Sequence, residues 1–541
     1  MKKTKFIAFI LALACMASVG SGCGDSKNTT SIGLDQNAIT ENTMPITEED
    51  ITLNIWIRNG SQGYFSNYKE YEVVKKLEEV TGLKFEFTHP VGAAKEQLNI
   101  MLASGEMSDI IIYYFQNDGG TMKAVEEGTY IKMADYIDKF APNFKKLVAE
   151  NESFKKQVEM NGGKDMTYMP NLIDDPRYLA YNGYFIRQDW LDQVGLNIPE
   201  TISDWEAVLT AFRDKKLGSD GNTIPFATIT SGSMNYEIFA SGFGLNSIYY
   251  YCLDPDTGKV THPVLQPGYK DYLMTLNKWY TEGLIDPNIF GANIQQIDSM
   301  MLNHELGSVY IDNNADIPKY MQTDPDLNLV AVPYPKDANG NSVCPTITLP
   351  STVASLGAVV TKSCEHPVEA VRFLDYLYSE EGSDLINWGI EGTTYTKDAN
   401  GEKKFTDLIL ANPEEKSPTE AFAGAFFARS GAPGLIQFSA MSGLETNYSD
   451  EIKKQRNQSI EYSMELDQSR MLGALPFTYD ELNELNNIKA NVETYITEMH
   501  QKFILGKESF ENFDSFIENA KKSGMSRMIE LRQQAYDRIE K

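Results

Sequence analysis

The chain has 541 residues, with 48 basic and 76 acidic side chains and a formal charge of -28. That balance opposes binding to nucleic acid or to an anionic lipid surface. The length exceeds what one hydrophobic core organises, so two domains are expected, and 42% hydrophobic residues make the chain globular.

Lys2, Lys3 and Lys5 precede a mostly apolar run from Phe6 to Val19, and Gly20-Ser21-Gly22 then lead into Cys23. The run is shorter than the roughly 20 residues that cross a bilayer, which makes it an export signal. A cysteine after small residues is where bacterial lipoproteins are cleaved and acylated on sulfur. Residues 1–22 are therefore expected to leave, and Cys23 to carry a lipid on the outer face of the cytoplasmic membrane. Gly20 stands where the usual motif has a branched apolar residue, and ordinary cleavage with free secretion is the alternative. Residues 23–48 are polar and aperiodic, and read as a tether reaching roughly 25–30 Å. Beyond the signal no segment is apolar for long enough to span a membrane. Cys252, Cys344 and Cys364 are too widely spaced for a disulfide framework, though one bridge stays open.

Folded sequence begins at Ile51-Thr-Leu53-Asn-Ile55-Trp56, which alternates like a strand. Tyr71, Val74, Leu77 and Val80 mark a helix that Gly82 stops, and Lys84 to Phe87 alternates again. Ala94, Leu98, Met101 and Leu102 follow helical spacing, and Asp109 to Tyr113 is a continuous apolar run typical of a buried parallel strand. This βαβαβ order predicts an α/β sheet. A second such region starts near Tyr178, with helices around Trp205–Phe212 and Tyr272–Tyr280. Turns are expected at Asp256-Thr-Gly258 and Asn339-Gly340, and mainly helix from about Asn457. Trp190, Trp205 and Trp279 fall at apolar helical positions and read as core.

Catalytic signatures do not emerge. No GxSxG elbow is present, and neither Gly163-Lys164 nor Gly506-Lys507 completes a phosphate loop. The five histidines are scattered, with no HExxH. The stretch from Asp214 to Asn222 lacks calcium-loop spacing and reads as a turn, so no metal or cofactor is expected. Aromatic residues, 11% of the chain, point elsewhere: sugars present flat C–H faces to rings and hydroxyls to planar polar groups. Trp56-Ile-Arg58-Asn59 and Tyr113-Tyr114-Phe-Gln-Asn-Asp118 both end strands, where open parallel sheets bind ligands.

Five stretches remain to be placed: Leu102-Ala-Ser-Gly105-Glu-Met-Ser-Asp109-Ile, Gly128-Thr-Tyr130 through Asp135-Tyr-Ile, Ile186-Arg187-Gln-Asp189-Trp190-Leu191, Trp279 through Asp286-Pro287, and His366-Pro367 through Gly392. Taken in order, they resemble blocks of the extracellular solute-binding lipoproteins of carbohydrate ABC importers, in their long Gram-positive form. The first is similar to that family's L-x-SGE-x-PD-I segment, with Ser108 for proline.

The resemblance implies a two-lobed α/β fold of the periplasmic-binding-protein type, with the ligand cleft between the lobes. Lobe 1 would hold 49–172 and 350–400, and lobe 2 would hold 173–349 and 401–541. It further implies a monomer, without catalysis, that captures an oligosaccharide and hands it to permease subunits. A glycan-degrading lipoprotein, or a binding protein serving a membrane sensor, are the alternatives. Strand-end position and residue chemistry then select Trp56, Tyr114, Trp388 and Tyr395 as stacking platforms. Arg58, Asp118 and Glu391 are selected as hydroxyl partners, with Tyr236 and Asp312 from the second lobe.

Overall fold

The computed structural model describes residues 34–59, 67–114, 120–160, 163–180, 182–229, 238–246, 250–311, 316–324, 326–344, 352–410, 433–473 and 475–539. Strand β1 (Thr52–Ile57) is followed by helix α1 (Glu72–Thr81), whose Val73, Val74 and Leu77 are buried. Gly82 ends α1 at φ 74°, and a Cβ there would stand 2.1 Å from the Thr47 carbonyl oxygen, so only glycine fits. Strand β2 (Lys84–Thr88), helix α2 (Ala94–Ser104) and strand β3 (Ile110–Tyr114) complete the expected βαβαβ unit. Helices α3 (Gly120–Glu126), α4 (Met133–Phe140) and α5 (Pro142–Glu150) lead to strand β4 (Met169–Ile173).

The chain then crosses to a second body. It contains β5 (Gly183–Arg187), β6 (Ile224–Thr228), a short hairpin of β7 (Cys252–Leu253) and β8 (Val260–Thr261), β9 (Leu306–Ile311) and β10 (Leu329–Val332). It returns as β11 (Val353–Val360), forms a hairpin of β12 (Tyr395–Lys397) and β13 (Lys403–Phe405), and adds β14 (Gly434–Ile436). The first sheet has the order β14-β4-β11-β3-β1-β2, and the second β10-β5-β9-β6. In the first, only β11 runs antiparallel to its neighbours. The reason is topological: β4 and β14 leave toward the second lobe, whereas β11 arrives from it.

Each sheet has its own core. Leu53, Ile55, Phe85, Ile112, Leu172 and Leu374 centre the first, and Trp205, Phe239, Tyr272 and Trp279 the second. Trp190, Trp205 and Trp279 are all buried, as their helical spacing predicts. The helix Tyr479–Ile504 lies along the helix Gly268–Thr281, and Asn277 Nδ2 donates to the Ile504 carbonyl at 3.0 Å. The helix Asp450–Met464 covers the edge strand β10, where Gln455 Oε1 accepts from Ala331 N at 2.9 Å. Cys252, Cys344 and Cys364 are buried and form no disulfide with one another.

Two boundaries differ from expectation. Residues after 400 do not pass directly to the second lobe: β14 pairs in parallel with β4, and Phe405, Ile409, Ala440 and Leu444 sit in the first core. A three-residue strand leaves too short a pattern to read in sequence. The tether also ends earlier, because residues 34–50 are docked on the first lobe. Lys139 Nζ donates to the Leu34 carbonyl, Ile46 N donates to the Thr81 carbonyl, and Ile46 is buried. Arg372 grips this strap from beneath, donating to Asn42 Oδ1 and to the carbonyls of Thr43 and Ile46.

Asp375 joins strap and lobe. Its buried carboxylate accepts from Asn42 Nδ2 (3.2 Å), Asn143 Nδ2 (2.8 Å) and Phe144 N (2.9 Å), which caps the first turn of α5. Burial nevertheless pushes its carboxyl up to about 6, against the pull of those donors. A folded value raised above the ordinary 3.8 means stability that is full below pH 4 and lost as pH rises through 6. Compared with Asp375→Asn, the chain should therefore lose about 3 kcal/mol of relative stability between pH 4 and pH 7. Urea denaturation at stepped pH checks this, and parallel curves for the two proteins would refute it.

Candidate cleft between the lobes

Strands β1, β2, β3, β4 and β14 present their carboxyl ends to one edge of the first sheet. In the order β2-β1-β3 the chain reverses direction across the sheet, and the two crossover helices pack on opposite faces. α1 lies on the main core, whereas Leu98 of α2 packs with Trp56, Ile111 and Val359. Such a reversal opens a crevice at the carboxyl ends of β1 and β3.

The two expected clusters meet there. Tyr114 ends β3 with half of its surface (50%) exposed, and Tyr113 lies edge-on to it at 5.7 Å. Arg58 follows β1 and is exposed, its carbonyl held by the Tyr68 hydroxyl at 2.9 Å. Trp56 is different. Only 2% exposed, it packs edge-on against Tyr113 at 5.9 Å and supports the aromatic edge from below. Cys23, Asp118, Tyr236 and Asp312 lie outside the described residues.

Trp388 and Tyr395 depart from the expected open platforms. Trp388 is 2% exposed, stacked on Phe405 at 4.6 Å, and its Nε1 donates to Gln437 Oε1 at 2.9 Å. Tyr395 is buried beside it, with ring centroids 6.0 Å apart. Glu391 is exposed and pairs with Lys397 at 3.6 Å. Beneath them Asp384 is buried between Lys403 and Lys397, and also accepts from Gln437 Nε2 at 3.0 Å. Trp388 and Asp384 thus hold Gln437, the first residue after β14, with Tyr395 packed behind Trp388. An indole following a helix gave no sign in sequence that a partner 49 residues later would cover it.

Sequence reasoning did not identify the residues that fasten the crossings. Ile173 N donates to the Thr352 carbonyl at 2.8 Å, and Asp174 N to the Ile436 carbonyl at 3.1 Å. Asp174 Oδ1 accepts from Phe438 N at 2.8 Å, and burial raises this carboxyl above its usual range. Asp175 is held below its usual range by Arg177, whose guanidinium also lies 4.6 Å from the centre of the Phe438 ring. Further on, Glu445 pairs with Arg456 of the helix Asp450–Met464, both largely buried. All three connections between the lobes are therefore fastened together near their roots. Away from them, Lys123 of α3 reaches Tyr479 at the start of the helix Tyr479–Ile504 and pairs with Glu127 at 3.4 Å. Among the described residues no three His, Cys, Asp or Glu side chains are arranged to hold a metal ion.

Two α/β bodies joined by three fastened crossings, with an aromatic edge at a sheet reversal between them, suit capture of a solute. The sequence model of the family described as bacterial extracellular solute-binding protein matches residues 63–384. The chain belongs to that family. Among its relatives, the fructooligosaccharide ABC transporter substrate-binding protein FusA of Streptococcus pneumoniae is 22% identical over 100% of this chain and 99% of its own. The polygalacturonan/rhamnogalacturonan-binding protein YtcQ of Bacillus subtilis is 24% identical over 62% and 65% of the two chains. Among solved structures, FusA in complex with kestose superposes with a TM-score of 0.72 at 21% identity, over 90% of this chain and 99% of that one. Alginate-binding protein AlgQ2 without calcium ion gives 0.72 at 22% identity, over 91% and 99%. This solute-binding protein shares their two-lobed fold.

The contrast between buried Trp388 and exposed Tyr114 is measurable. Trp388→Ala should cost about 3–5 kcal/mol of stability, as truncation of a packed aromatic does. Tyr114→Ala should stay within about 0.5 kcal/mol of the parent. Equal urea midpoints for the two variants would contradict this placement.

Proposed function

We propose that this chain captures an oligosaccharide outside the cell and delivers it to the permease of an ABC importer. In this reading it is exported by residues 1–22, anchored through a lipid on Cys23, monomeric and free of catalysis. The observation that carries it is the pairing of family membership with an aromatic, partly exposed edge at the β1/β3 reversal. The sugar-binding relatives support the ligand class: FusA is described with fructooligosaccharides and YtcQ with polygalacturonan and rhamnogalacturonan.

Tyr114 stacks on a sugar face, Arg58 donates to its hydroxyls, and Trp56 with Tyr113 keeps the edge rigid. Asp118, Tyr236 and Asp312 keep their candidacy through sequence position, close behind β3, β6 and β9. A ligand touching both lobes favours the closed form by its differential affinity for that form, and the permease reads closure. Trp388, Tyr395 and Glu391 act at one remove, by holding the third crossing at Gln437.

A thermal-shift screen against neutral fructooligosaccharides, oligogalacturonides and host-type glycans tests this. A binding sugar at a hundred times its Kd adds about 2.7 kcal/mol to native stability and raises the melting temperature accordingly. Tyr114→Ala should then weaken that sugar about tenfold, roughly the worth of one stacked ring. No shift with any sugar would overturn the ligand class, and cleavage products in the recovered sugar would replace capture by hydrolysis.

A further inference from the structure

Parallel pairing places Trp56 beside Thr88, so the next residues, Ile57 of β1 and His89, follow side by side at the carboxyl end of this strand pair, where Ile57 still pairs with Ile112 of β3. The His89 ring turns back across this end. Its Nδ1 lies 2.8 Å from the Ile57 carbonyl oxygen, and its Nε2 lies 3.2 Å from the Tyr68 amide nitrogen. A carbonyl can only accept and an amide N–H can only donate. Nδ1 therefore carries the hydrogen and Nε2 is bare, which fixes one neutral tautomer.

Tyr68 closes the circuit. Its hydroxyl donates to the Arg58 carbonyl at 2.9 Å, so two consecutive carbonyls at the end of β1 are held by two side chains. Those side chains also hold each other: the rings meet edge-on at 4.5 Å, and Phe87 lies parallel to the imidazole at 6.2 Å. Tyr68 is fully buried, and Asn67 Nδ2 adds a bond to the Phe87 carbonyl at 3.1 Å. The ionisable groups on the surrounding elements are Arg58 just after β1, Tyr68, Lys69 and Glu70 of the turn, and Glu86 and Lys84 of β2, the last paired with Asp50. Lys69 pairs with Glu86, and Glu70 accepts from Asn67 N.

We propose that His89 is a positioning residue of the ligand site: as a neutral imidazole it pins the Ile57 carbonyl and the Tyr68 amide, and so fixes how β1 presents Arg58 to the cleft. The inference rests on the reading of this edge as the ligand site. A protonated ring would set N–H against N–H at Tyr68 and open the circuit. Burial opposes that protonation and holds the group below its usual 6.5. With the folded value depressed, the clamp is intact above pH 6.5 and is lost as pH falls through the folded value.

Two measurements on the intact chain test the proposal. Nitrogen-15 spectra of the imidazoles, with His89→Gln as the assignment control, should show His89 neutral with its hydrogen on Nδ1 at pH 7. Amide exchange at Tyr68 should speed up about tenfold in His89→Ala and return toward the parent in His89→Gln, whose amide keeps one donor and one acceptor. Kestose and trigalacturonate serve as binding probes by calorimetry. Whichever binds should weaken about tenfold in His89→Ala and recover in His89→Gln, and only the parent should lose affinity as pH falls through the depressed folded value of His89. If neither sugar binds the parent, the ligand class fails while the spectra and exchange rates still judge the clamp. A hydrogen on Nε2, unchanged exchange at Tyr68, or equal affinities for all three proteins would overturn it.

Discussion

Everything in this molecule that can move depends on how three chain crossings are tied together. Asp174 is the knot: its amide bonds the Ile436 carbonyl, its carboxylate accepts from Phe438 N, and its neighbour Ile173 bonds Thr352. One residue therefore touches the exits of β4 and β14, beside the entry of β11. Packing around the crossing partly desolvates this carboxylate, and a backbone donor aimed at it offsets part of that cost. The roots of the three crossings are thereby fixed to the first sheet.

The same constraint explains why so much polar chemistry is buried around Gln437. Its side chain is held by Trp388, Ser383 and Asp384, and its amide donates to Asn387 Oδ1. Asp384 in turn sits between two lysines of the β12–β13 hairpin. A buried charge flanked by partners is only weakly stabilising in itself. Its contribution here is geometric, since it fixes the direction in which the chain leaves β14 for the second lobe. The Arg456–Glu445 pair continues that role into the helix that covers β10. The N-terminal strap follows a parallel logic: Arg372 and Asp375 bind it to the first lobe, so any anchor at the N-terminus holds that lobe and leaves the second to move.

The alternation at Ile51–Trp56, the apolar run ending at Tyr113 and the left-handed glycine at Gly82 were sufficient to read the first βαβαβ unit, because periodicity and helix stops are local. Ordered family blocks carried the two-lobed architecture. Position at the end of a strand also singled out Arg58 and Tyr114, which the structure leaves exposed at the carboxyl ends of β1 and β3. These are properties that a chain states within ten residues or so of itself.

What tertiary structure alone decided is which aromatics have a free face. Trp56 and Trp388 occupy similar sequence settings, at the end of a strand and just past a helix, yet both are covered by partners distant in the chain. Phe405 and Gln437 reach Trp388, while Leu98, Tyr130, Tyr168 and Val359 enclose Trp56. The same holds for the antiparallel β11, for β14, and for the ring of His89 turned back on Ile57. Local sequence sets what an element is, because backbone periodicity is a near-neighbour property. Burial and partnership are set by elements tens to hundreds of residues apart, and no local pattern records them.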